Sequence, residues 1–232
     1  MIEKLPANTR GNTRTSWLNS RHSFSFGQYR DPHRMGFRSL RVINDDIVDG
    51  GGGFGEHGHR DMEIISYVVE GGLEHRDSLG NGGVIRPGDV QIMSAGTGIR
   101  HAEFNASDDE PVRFLQIWIP PDRRGIEPRY EQRRFPISDQ TGQLHLVVDP
   151  EGSDGALEIH RDARIYAGRF DGGESSSLEL GDDRYGWVQV VKGCIEVNGV
   201  ALDEGDGAAI EDEDCLEFRH GERAEILVFD LA

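Results

Sequence analysis

The chain has 232 residues and carries 25 Lys and Arg against 42 Asp and Glu, a formal charge of −17. That acidity argues against direct nucleic-acid binding, which needs a basic face for phosphate, and no apolar run is long enough for a transmembrane helix. A hydrophobic content of 36% argues against a wholly disordered chain, and 31 Gly without a collagen-like period suit a turn-rich all-β protein.

The opening Met1-Ile2-Glu3-Lys4-Leu5-Pro6 lacks the apolar core of a signal peptide. Phe24 and Phe26 are spaced to share a strand face and are expected to fill a barrel or cover its mouth. Arg38–Ile43 opens with polar/apolar alternation. Met62–Val69 is rich in β-branched residues and stops at Gly71-Gly72. Val112–Ile119 ends at Pro120, and Leu144–Val148 ends at Asp149-Pro150. Trp187–Val191 and Ile226–Phe229 complete the clearest strands. Short strands between Gly, Pro, Asn and Asp read as a sandwich or barrel. Two cysteines, Cys194 and Cys215, form no disulfide framework, so a reducing cytoplasm is the expected location.

The chain contains a faint repeat. Tyr67-Val68-Val69-Glu70-Gly71, Pro87-Gly88-Asp89 and Arg113–Trp118 are echoed by Gln189-Val190-Val191-Lys192-Gly193, Glu204-Gly205-Asp206 and Glu225–Phe229. Each set is a strand ending in Gly, a Gly-Asp turn and an apolar closing strand. Two β-barrels of one design would explain it. Charge divides along the same line. Residues 1–135 hold 18 basic and 19 acidic side chains, whereas residues 136–232 hold 7 and 23. The Pro-rich segment Pro120–Pro128 cannot continue a strand and is the expected boundary region. The expected domains are a metal-binding barrel, residues 1–135, and a second barrel without metal, residues 136–232.

The chemistry sits in the first repeat. His57 and His59 are two residues apart, as are His101 and Glu103. On a strand, residues i and i+2 point to one face, and neighbouring strands lie under about 5 Å apart, so two such pairs can converge on one ion. Three imidazoles and a carboxylate suit a divalent first-row metal such as iron, nickel, copper or zinc. If the strand stays regular, Asp61 and Glu63 share the face of His57 and compete with Glu103. His22, His33 and His75 are expected to be hydrogen-bonded or exposed rather than ligating. Met93 and Phe114 are expected in the core, and Arg60 and Arg100 balance local carboxylates or attract an anionic substrate.

His57-x-His59-x3-Glu63, followed by Gly88-Asp89 and His101-x3-Asn105, looks like the two cupin motifs. Trp17-Leu18-Asn19-Ser20-Arg21-His22-Ser23-Phe24-Ser25-Phe26-Gly27, His59-Arg60-Asp61-Met62-Glu63 and Gly96-x-Gly98-Ile99-x-His101-x-Glu103 resemble the pirin family over nearly the whole chain. The likeness is greatest to the bacterial pirin-like quercetin 2,3-dioxygenases. The resemblance implies an all-β bicupin of two jelly-roll barrels with one mononuclear metal in the first. It maps the ligands onto His57, His59, His101 and Glu103, with Glu63 as a partner that orients an imidazole. The implied metal is Fe(II), with Ni, Cu, Zn, Mn or Co compatible with the same donors. Gly58 departs from the Pro found there in many pirins. The second repeat has no His-x-His, and His220 stands alone.

Two functions are implied. One is a metal-dependent dioxygenase that cleaves flavonols such as quercetin and releases carbon monoxide, with Glu103 or Glu63 taking the substrate proton. The other is a metal-binding regulatory or redox-sensing protein whose partner is a transcription factor or metabolic enzyme. A monomer without membrane contact is expected in either case.

Overall fold

The computed structural model describes residues 1–232. The first half holds β1 (Ile2–Leu5), β2 (Gly11–Arg14), β3 (Leu18–His22), β4 (Val42–Val48), β5 (Gly53–His59), β6 (Glu63–Glu70), β7 (Leu73–Asp77), β8 (Gly82–Ile85), β9 (Asp89–Ser94), β10 (Ile99–Asn105), β11 (Val112–Ile119) and β12 (Arg129–Arg134). The second holds β13 (Leu144–Asp149), β14 (Leu157–Glu158), β15 (Ala163–Phe170), β16 (Ser176–Glu179), β17 (Tyr185–Val197), β18 (Val200–Asp203), β19 (Gly207–Ile210) and β20 (Cys215–Leu231). Helix is confined to two three-residue 3-10 turns, and no helix is long and apolar enough to cross a membrane.

The architecture is an all-β bicupin. In the first lobe a seven-stranded sheet, β12-β9-β6-β11-β4-β3-β2, faces a four-stranded sheet, β5-β10-β7-β8. Val68 and Phe114 of the larger sheet share an apolar cluster with Leu73 and Ile85 of the smaller. The second lobe is one nine-stranded sheet built on the long, bent strands β17 and β20. The repeat in the sequence is visible as topology. β6 lies between β9 and β11, as β17 lies between β19 and β20. The Gly-Asp turns before β9 and β19 both need a left-handed glycine, Gly88 at φ 91° and Gly205 at φ 83°.

At the middle of the seven-stranded sheet, β6 and β11 are buried on both faces and read as nearly continuous apolar runs. Ile65, Tyr67, Leu115 and Ile117 point to the second lobe. They join Trp187, Leu227 and Phe229 in one 25-residue core, so the lobes share an apolar interface. The alternate residues, Ser66 and Gln116, point inward to the first lobe. The chain also crosses between lobes at its start. β1 pairs with β19, and Lys4 Nζ lies 2.7 Å from Asp206.

Two local expectations differ from the structure. The alternation at Arg38–Ile43 is mostly a turn. Phe37 and Leu40 exchange backbone hydrogen bonds across Arg38 at φ 52°, and β4 begins at Val42. Phe24 and Phe26 do not share a face, because β3 ends at His22. Phe24 is buried against Trp187, with ring centroids 4.9 Å apart, while Phe26 is half-buried and lies edge-on to Trp118. The Pro120–Pro128 segment carries no strand, and the chain then returns to the first lobe as β12.

Polar contacts such as Arg113 with Glu204 and Lys192 with Glu70 ring the lobe interface, and one buried pair joins Tyr67 to the second lobe. Tyr67 is fully buried, and its hydroxyl donates to Glu225 Oε1 at 2.7 Å. Tyr67→Phe leaves that buried acceptor short of a donor and should lower stability by about 1–2 kcal/mol. Urea unfolding of the two proteins checks this; an unchanged midpoint contradicts it.

Candidate metal centre

Three strands of the smaller sheet build the centre. β10 runs between β5 and β7, with His101 directly opposite His57 on one side and Glu103 opposite His75 on the other. His57 and His59 share a face by the two-residue period. A bulge in β5 shifts the register between His101 and Glu103 and re-aims the end of that strand. The result is one ring nitrogen from each of His57, His59 and His101 within 4.8 Å of the others. A second group, His75, His101 and Glu103, meets the same limit and shares His101.

These imidazoles fit a divalent ion. His57 Nδ1–H donates to the Gly55 carbonyl at 2.9 Å, which leaves Nε2 with its lone pair. That Nε2 lies 3.0 Å from His101 Nε2, too close for two bare lone pairs without a proton or cation between them. His59 Nε2 is buried with no hydrogen-bond partner. Burial, reinforced by the neighbouring rings, pushes His101 down to about 2 and His59 to about 4, so both are neutral at physiological pH. Neutral imidazoles with orphaned nitrogens are what a metal requires. The chain carries a metal-binding site here.

Glu103 is 1% exposed and held by two donors from the facing sheet. Gln116 Nε2 donates to Oε2 at 2.7 Å, and the Ser66 hydroxyl donates to Oε1 at 3.3 Å. Trp118 Nε1–H in turn donates to Gln116 Oε1 at 3.3 Å, which fixes the amide orientation. Burial raises the Glu103 carboxyl, opposed by Gln116, His75, His57 and Ser66.

Gln116 and Ser66 belong to a row that crosses the large sheet. His22, Asn44, Gln116, Ser66 and Gln91 lie directly opposite one another on β3, β4, β11, β6 and β9, and all are buried. At the positions matching Ser66, Gln116 and Gln91 in the repeat, the second lobe has Val188, Val228 and Ala208, paired in the same way. Those three fill its apolar core. His220 there is exposed. Between the first lobe's row and its imidazoles opens a cavity of about 940 Å³, reached by His57, His59 and Glu103 and walled in part by Trp17, Phe26, Phe54 and Trp118.

Glu63 is elsewhere. Asp61 takes φ 50°, which breaks the strand between β5 and β6, so residues 57 to 63 do not share one face. The Glu63 carboxylate is fully buried, accepts from the Ser94 hydroxyl at 2.8 Å and faces His160 Nδ1 of the second half at 3.6 Å. The Asp61 carboxylate accepts from the Gly125 backbone at 2.7 Å. His22 is hydrogen-bonded to Thr13 and Asn44, each at 2.8 Å, and Arg100 pairs with Glu56 at 2.8 Å. Met93 and Phe114 are core residues, and the cysteines are free and half-buried. His75 is not exposed. It is 0% accessible, bonded to Asp77 Oδ2 at 3.2 Å and stacked on Tyr130. Its signal in the sequence is the alternation Leu73, His75, Asp77, the same two-residue spacing that marks the other ligand pairs.

The pirin family matches residues 6–119, and the quercetinase C-terminal cupin domain matches residues 146–231. The chain is 48% identical to quercetin 2,3-dioxygenase of Escherichia coli K12, covering 100% of this chain and 99% of that protein. It is 42% identical to a pirin-like protein of Caulobacter vibrioides, with 100% of both covered. A crystal structure of a bacterial pirin from Escherichia coli in complex with nickel(II) superimposes with a TM-score of 0.94 at 47% identity, covering 100% of this chain and 99% of that one.

Asp46 lines the cavity beside the row, and burial pushes its carboxyl up to about 7, opposed by Ser20 and reinforced by Asp45 and Glu103. Its folded value lies above its unfolded one. The folded state therefore keeps a proton that the unfolded chain has released, and stability falls as pH rises from about 4 towards 7. Asp46→Asn removes that decline, so its stability relative to the parent should grow between pH 5 and pH 8. Denaturant midpoints at the two pH values measure this; a constant difference contradicts it.

Proposed function

This chain belongs to the pirin family, and on that premise we propose that it is a metal-dependent dioxygenase that opens flavonols of the quercetin type with release of carbon monoxide. The observation that carries the reading is the convergence of three imidazoles, His57, His59 and His101, beside an aromatic-walled cavity that His57, His59 and the buried Glu103 carboxylate line and that is large enough for a three-ring substrate. His57, His59, His101 and Glu103 would hold the ion, with Fe(II) the first candidate and nickel, copper, zinc, manganese or cobalt accepted by the same donors. A divalent ion there supplies Lewis acidity towards the substrate's oxygens and redox chemistry towards dioxygen.

The chain's own residues do the rest. His57 and His59 border the cavity, and Trp118, 5.0 Å from the His59 ring, offers an edge against which a flat ring can stack. Glu103 takes the proton of the flavonol 3-hydroxyl. Its burial raises its proton affinity, while Gln116 and Ser66 steady the charged form. Glu63 sits where the two halves meet, bonded to Ser94 rather than to the imidazoles, and serves to hold that junction.

The test is oxygen uptake and carbon monoxide release with quercetin, alongside metal content. Replacing His57, His59 or His101 by Ala should abolish both metal retention and turnover. Glu103→Gln should cut turnover by at least about a hundredfold, within the range of general acid–base effects. Glu63→Gln should retain the metal. A fully metallated parent that consumes no oxygen with any flavonol overturns the oxygenase reading in favour of a regulatory one.

A further inference from the structure

The cavity holds a second buried acid that the proposed reaction does not use. Asp46 is 3% exposed, and its Oδ1 has no hydrogen-bond partner. It lies on β4 with Ser20 directly opposite on β3 and Phe114 opposite on β11. The matching place in the second lobe, opposite Ile226, is Gly168. An unpaired carboxyl oxygen in a protein interior is costly, and replacing it by an apolar group of similar size is usually neutral or stabilising. Nothing in the fold explains it: no cation pairs with it, and it does not bind Glu103, which is already held by Ser66 and Gln116.

A free acceptor in a cavity wall is completed by a donor on the ligand. Its neighbours define the ligand further. Trp17 and Phe54 meet edge to face, with centroids 5.2 Å apart, on the same cavity. Aromatic walls favour a flat ring, and an acidic wall disfavours a carboxylate or phosphate. A ring bearing hydroxyls meets both conditions, and adjacent hydroxyls can reach Asp46 and Ser20 together. We propose that Asp46 is a specificity-determining residue whose free carboxyl oxygen accepts a hydrogen bond from a ring hydroxyl of a polyhydroxylated aromatic substrate, an inference that rests on the oxygenase reading above. Sites built to bind a hydroxyl reject the analogue that lacks it, because the buried polar group is then left unpaired.

Equilibrium binding to the metal-loaded protein without oxygen, at a pH well above the value of about 7 at which the buried Asp46 gives up its proton, tests this. The probes are quercetin, with two hydroxyls on its pendant ring, and galangin, with none. The parent protein should bind quercetin at least about tenfold tighter than galangin, the worth of one hydrogen bond to a charged group. Asp46→Leu should bring the ratio close to one. Its ligand-free melting temperature should match or exceed the parent's, which also establishes that it folds. Asp46→Asn keeps an acceptor oxygen but loses the charge, and should retain only part of the ratio. An unchanged ratio in whichever variant folds overturns the role of Asp46 and leaves the oxygenase reading standing. A parent protein that binds both flavonols equally does the same. A parent that binds neither overturns both.

Discussion

The first lobe depends on a row of polar side chains buried in the middle of a sheet. Groups such as Gln116 and Ser66 each cost about 1–3 kcal/mol if left without partners. Their partner is Glu103, on the opposite sheet. The carboxylate in turn is tolerable in the interior only because the row donates to it. The two sheets therefore specify each other. The small sheet brings the imidazoles and the acid on alternate residues, and the large sheet supplies the donors that hold the acid in place.

The second lobe shows what the same design becomes without that demand. Val188, Val228 and Ala208 stand where the first lobe has Ser66, Gln116 and Gln91, and the interior fills with apolar side chains. One lobe is thus open and polar inside, and the other is solid. The outer face of the large sheet rests on the second lobe through a shared apolar core, which keeps the row rigid from behind. A 1 Å slip in that sheet would move Gln116 away from Glu103, so the solid lobe contributes to the site without touching it.

Much of this was legible in the sequence, and the rest was hidden for physical reasons. The pairs His57/His59 and His101/Glu103 are readable because the strand period is two, and β5 and β10 are indeed adjacent. The Gly-Asp turns and apolar closing strands disclosed two lobes of one design. Whether Glu63 shares the face of His57 turns on Asp61, whose left-handed backbone resets the phase and is not readable from the two-residue period. The burial of His75 is hard to read because a charged segment, Glu74-His75-Arg76-Asp77, masks its alternation; only residues 73, 75 and 77 turn inward. The polar row was invisible because its members are scattered over five strands and meet only through register. Single buried Ser or Gln residues in apolar strands carry no signal by themselves.

If the two sheets together build the centre, one ion binds between the row's carboxylate and the three imidazoles. Anomalous X-ray diffraction from crystals of the metal-loaded protein locates it directly. One ion per chain is expected, within about 2.0–2.3 Å of a nitrogen of His57, His59 and His101 and of a Glu103 oxygen. An ion at Glu63 and His160, or one held by His75 in place of His57 and His59, would contradict it.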